Sequence, residues 1–117
     1  MKISTMRELL DAKVLACEEH LNRHVYSACG CDLMSDVLAY VKDQAVLLTG
    51  LVNPQVIRTA VMMDMICIVF VRSKMPSEEM IELAKESGIV LLATDKRMYE
   101  ACGKLYSAGL LGNAVRK

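Results

Sequence analysis

Three short runs of uninterrupted apolar residues divide the second half of the chain: Ala45 to Thr49, Ile66 to Val71 and Ile89 to Ala93. Each is too short for a buried helix and lacks polar alternation, so each predicts a strand covered on both faces, the pattern of a parallel sheet. Between them the apolar residues recur at helical spacing. Pro54 opens a helix whose face is Val56, Ile57, Ala60, Val61 and Met63, and Pro76 opens another carrying Met80, Ile81 and Ala84 and ending at Gly88. A last helix begins near Thr94 or Asp95, places Met98, Ala101, Cys102, Leu105 and Ala108 on one side, and stops at Gly109.

The first third is less regular. Thr5-Met6-Arg7-Glu8 reads as a capping box before Leu9 and Leu10, which face inward. Val14 to Cys17 and His24 to Ala28 read as short strands around a polar turn, together a small antiparallel or irregular unit. Asp32 reads as the N-cap of a helix with Met34, Val37, Leu38 and Val41 on one face. The predicted fold class is therefore α/β: a three-layer-like, mostly parallel central sheet flanked by helices, with a short irregular or antiparallel N-terminal portion. One domain over residues 1–117 is expected, with 113–117 a frayed tail.

Composition changes this picture in only a few respects. Fourteen basic residues balance fourteen acidic ones, so the electrostatic pull of a nucleic-acid binder is missing. No apolar run has the length of a membrane span or a signal peptide, and five cysteines, an odd number, suit reduced thiols in the cytosol. With no Trp, one Phe and nine Met, the core has to be filled by aliphatic and thioether side chains.

Ligands of open parallel sheets favour the carboxyl ends of the strands. That rule selects Thr49-Gly50, Arg72-Ser73-Lys74 and Thr94-Asp95-Lys96-Arg97, with Thr49, Arg72, Ser73, Thr94 and Asp95 as candidate ligand residues for a nucleotide or other small anion. The competing reading makes Thr94 and Asp95 helix caps and leaves the cations solvated. Catalysis finds no foothold, because the chain contains neither a phosphate-binding loop nor a nucleophile elbow, and no cofactor is expected. Cys29 and Cys31 are candidates for a redox or metal role, with Cys17, His20 and His24 near in sequence; the alternative is a pair of partly buried thiols at a strand-to-helix junction. On the helix opened by Pro54, Met62 and Met65 point away from the apolar face and are candidates for a subunit interface.

Leu21-Asn22-Arg23-His24-Val25 followed by Cys31-Asp32-Leu33-Met34-Ser35-Asp36-Val37-Leu38-Ala39 resembles the early motif of DRTGG domains, L-D-R-x-V and then S-D-L-L-S-D-V-L. Pro76-Ser77-Glu78-Glu79, Gly88 to Leu92 and Tyr99 to Tyr106 extend the likeness over roughly Val14 to Leu110. The resemblance implies a regulatory or oligomerisation module. Such domains occur between regulatory CBS domains of some pyrophosphatases, in some phosphotransacetylases and as short stand-alone proteins, and their fold resembles the amino-terminal, non-catalytic domain of HPr kinase. Where the family pattern has Thr-Gly-Gly after the second core strand, this chain has Val71-Arg72-Ser73, side chains in place of glycines that permit close backbone approach. The expected function is a non-catalytic homodimer that regulates or binds a partner encoded nearby, with a small-ligand sensor and a thiol or metal role as the alternatives.

Overall fold

The computed structural model describes residues 1–40 and 44–112. Five strands form one sheet in the order β1-β5-β4-β3-β2. They are β1 (Lys13–Ala16), β2 (Ser27–Gly30), β3 (Ala45–Thr49), β4 (Cys67–Phe70) and β5 (Val90–Ala93). β2 to β5 run parallel, and β1 joins the far edge antiparallel to β5 with an irregularity between Val14 and Ala16. The three apolar runs are thus the central strands, and every residue of β3, β4 and β5 is buried.

Each parallel neighbour is also the next strand in sequence, so the right-handed crossover rule sends every connecting helix to the same face. Those helices are α2 (Met34–Tyr40), α3 (Pro54–Met62) and α4 (Glu78–Ser87), with α3 packed between the other two. The second layer is α1 (Ile3–Leu10) with α5 (Met98–Ser107), and α5 rests on β3. Phe70, Leu47, Leu48, Ile68, Leu91 and Leu92 are sealed between the layers.

The N-terminal third departs from the sequence reading. No capping box forms: α1 begins at Ile3, and its cap residue Lys2 makes no side-chain bond. The backbone N–H groups of Ile3 and Ser4 instead donate to the carbonyls of Arg23 and Leu21. A neighbouring chain segment satisfies the helix end, which leaves no work for a Thr5–Glu8 pair. Ile3, Met6 and Leu10 form its buried face.

Nor do the two early strands make a unit. β1 and β2 occupy opposite edges of the sheet, and His24 makes only an isolated bridge to Lys2. The second early strand is shifted to Ser27–Gly30 by its parallel pairing with Ala45 to Leu48 of β3. Position 41 on the face of α2, and the tail at 113–117, lie outside the described residues.

Of the later helices, α3 opens at Pro54 as the sequence reading has it, whereas α4 and α5 start later, at Glu78 and Met98. Ser77, not Pro76, caps α4, accepting from the Met80 N–H at 3.3 Å, and Gly88 closes the helix in a left-handed conformation. α3 stops at Met62, and Asp64 turns the chain left-handed. Within α3, Val61 stands outside the buried face of Val56, Ile57, Thr59 and Ala60.

Candidate functional site

The carboxyl ends of β3, β4 and β5 come together at one rim, and the polar residues there are joined in two connected groups. In the first, Asp32 crosses from the β2–α2 turn to the end of β3. Its Oδ1 accepts from the Thr49 hydroxyl at 2.9 Å and from the Gly50 N–H at 2.8 Å, while Oδ2 lies 3.4 Å from Arg72 Nη2. Asp32 is therefore not the N-cap of α2, whose first turn bonds to the Leu33 carbonyl instead. The Gly50 N–H holds the Asp32 carboxyl below its ordinary value, aided by Thr49 and Arg72 and opposed by burial. A carboxylate held this way stays ionised and accepts hydrogen bonds, which makes it a poor proton acceptor at neutral pH.

The second group ties β4 to β5. Arg72 and Ser73 donate their backbone N–H groups to the carbonyls of Lys96 and Thr94, and the Ser73 hydroxyl donates to Asp95 at 2.8 Å. Thr94 is buried; its hydroxyl donates to the Leu10 carbonyl at 2.7 Å and accepts from the Lys96 N–H. Neither Thr94 nor Asp95 caps α5, which begins at Met98 after Arg97 without a side-chain cap. Thr94 fastens α1 to the end of β5, and Asp95 fastens the β4 turn. Beside them lies a cavity of about 220 Å³ lined by Asp11, Lys13, Ser73, Met75 and Thr94.

Arg72 and Ser73 both have φ 59, the left-handed region that glycine enters without strain. They are the positions where the family pattern carries Gly-Gly. The turn survives here on side-chain-bearing residues, at a cost on the order of 1–2 kcal/mol each. The Arg72 guanidinium packs over Gly50, where even a methyl group would collide with it.

Of the five predicted ligand residues, Thr49, Arg72, Ser73, Thr94 and Asp95, all lie at this rim, in two groups rather than one pocket. Sequence reasoning missed Asp32, because an Asp before a helical pattern reads as a cap. The available signal was Thr49-Gly50 at a strand end, a hydroxyl and an N–H in need of an acceptor.

Cys29, Cys31 and Cys102 lie near one another, but Cys17 does not join them. Cys17 is at the β1 edge, bonded to the Ala84 carbonyl across the sheet from Cys29 and Cys31. The Cys31 Sγ engages the backbone of Leu33, and Cys102 packs over Gly30. Burial, then Cys31 and Cys102, pushes the Cys29 thiol up, and burial raises Cys17, Cys67 and Cys102 as well. Raised thiols stay protonated and react slowly. Among the described residues, no group of three or more His, Cys, Asp or Glu side chains is placed to hold a metal.

The interface candidates separate. Met62 is 68% exposed, but Met65 is only 3% exposed, because α3 has already ended and the chain has turned into the sheet. Sequence periodicity carried the helix three residues too far. Two further large exposed side chains are on α5, where Tyr99 is 93% and Tyr106 65% exposed. No described helix is long and apolar enough to cross a membrane.

Compared with curated proteins, the chain has no significant match. Among solved structures it is similar to the crystal structure of the CBS and DRTGG domains of the regulatory region of Clostridium perfringens pyrophosphatase, complexed with the activator diadenosine tetraphosphate. The TM-score is 0.76 at 16% sequence identity, a likeness of fold, covering 99% of this chain and 50% of that one. This chain thus spans about half the length of that regulatory region. The DRTGG domain model matches residues 5–108, nearly the whole length, and the chain belongs to the DRTGG domain family.

Proposed function

We propose that this chain is a non-catalytic regulatory module that works as a homodimer. The observation that carries the reading is how the surface divides. At the strand ends, where an α/β domain would hold its chemistry, Asp32, Thr49, Ser73, Thr94 and Asp95 bond one another or the backbone. On the helices, Tyr99, Tyr106 and Met62 stand in solvent. Apolar side chains of that size are covered most cheaply by another protein surface. The family supports the regulatory half of the reading, since the similar solved structure is the regulatory region of an enzyme. Light scattering on a sizing column tests it: a dimer at tens of micromolar is expected, and a strict monomer at high micromolar concentration contradicts it.

A second reading makes the module a nucleotide sensor at the strand ends, near Thr49, Arg72 and Ser73. The half-exposed Arg72 guanidinium favours it, as does a neighbour solved with a nucleotide activator. A thermal-shift series with adenine nucleotides, diadenosine tetraphosphate included, decides it. A ligand at one hundred times its dissociation constant adds about 2.7 kcal/mol of stability, a plainly visible shift. No shift with any of them removes this reading.

A further inference from the structure

The outer face of α5 has a self-complementary pattern. Tyr99 and Tyr106 lie one side of its outward line, Glu100 and Lys104 lie on the other, and Gly103 sits between them at i, i+4 and i+7 spacing. With Leu9 of α1, they line an open hollow of about 820 Å³.

Gly103 is the informative residue. Glycine inside a helix costs about 1 kcal/mol relative to alanine, and a Cβ added at Gly103 would have nothing within 4 Å. Packing among the described residues gives no reason for it. A second backbone approaching that spot does, as at other close helix crossings.

We infer that α5 packs antiparallel against α5 of a second copy of this chain, about a two-fold axis passing between Cys102 and Gly103. The inference rests on the dimeric reading above. The choice of a second copy comes from the charges and rings together. An antiparallel two-fold brings each flank of the helix against the same flank of its mate. Centred there, it sets Tyr99 against the mate's Tyr106, and Glu100 beside the mate's Lys104. Gly103 meets the mate's helix at the closest point. A parallel two-fold would oppose rings to charges. A ten-residue helix is about 15 Å long, so the contact is small and the dimer weak, dissociating in the micromolar range.

Sedimentation equilibrium of the full chain tests the arrangement by charge exchange. Lys104→Glu places Glu100 against a like charge twice over, and should weaken the dimer at least tenfold at low salt. The double variant E100K/K104E restores opposite charges and should recover most of that loss, which a merely structural defect would not. Gly103→Leu adds a second signature, because it raises the melting temperature of the monomer while weakening the dimer. A dimer that forms equally well in all three variants overturns this interface and leaves the dimeric reading standing. Unmodified protein that remains monomeric overturns both.

Discussion

The strand-end rim and the outer face of α5 use their side chains in opposite ways. At the rim, polar atoms sit within 2.7–3.4 Å of internal partners and the backbone accepts strain to bring them there. On α5, Tyr99 and Tyr106 are mostly exposed, and among the described residues nothing lies within 4 Å of a Cβ added at Gly103. A residue satisfied inside the fold is explained by stability. One that the fold leaves over is explained by what the fold meets. Substitutions at the rim should therefore change stability and leave association alone, and those on α5 should do the reverse.

The largest effect is expected at the left-handed turn. Arg72→Val puts a β-branched side chain at φ 59 and should cost about 2 kcal/mol in urea unfolding. Arg72→Gly loses the exposed ion pair with Asp32, yet should cost nothing, because that pair contributes at most about 1 kcal/mol and relief of strain offsets it. Equal losses in both variants would show that the side chain matters and the backbone conformation does not.

Asp32→Ala comes next, with a loss of about 1–2 kcal/mol from two charge-assisted bonds at Gly50 and Thr49. Its pH dependence has a definite sign. The folded carboxyl titrates below its ordinary value, so the unfolded chain binds the proton more readily. The Asp32 contribution is complete above roughly pH 4 and disappears as pH falls through the lowered native value. Denaturant melts from pH 6 to pH 2 should lie closer together for variant and parent as the pH drops. A gap that stays constant would remove the carboxylate from the account.

The smallest stability effect belongs to α5. Tyr99→Ala should change the unfolding free energy of the monomer by less than about 0.5 kcal/mol, since the side chain is 93% exposed. It should nevertheless shift the association equilibrium strongly. A large loss of monomer stability would place Tyr99 among the structural residues and blur the contrast.

How much of this was legible in the sequence follows the same division. β3, β4 and β5 are continuous apolar runs buried on both faces, so their hydropathy alone identified them. The start of α1 and the position of β2 were not legible, because Ile3 and Ser4 bond to residues about 20 positions away and β2 takes its register from β3. Local patterns cannot register distant partners. Thr94 and Asp32 were read as caps for the same reason: their acceptors and donors, Leu10, Thr49 and Gly50, are supplied by the fold. Val71-Arg72-Ser73 was recognisable as a departure from the family pattern, but only the φ values explain why glycines suit that turn. Met65 failed as an interface residue because a helical period was extended past the helix end.

The central claim is that the chain joins a second copy of itself, with α5 as the surface that meets it. Sedimentation equilibrium of the unmodified chain from 1 to about 500 micromolar measures it directly. A mass rising toward twice 13.0 kDa with concentration is the predicted result. A mass fixed at that of one chain over the whole range would contradict it.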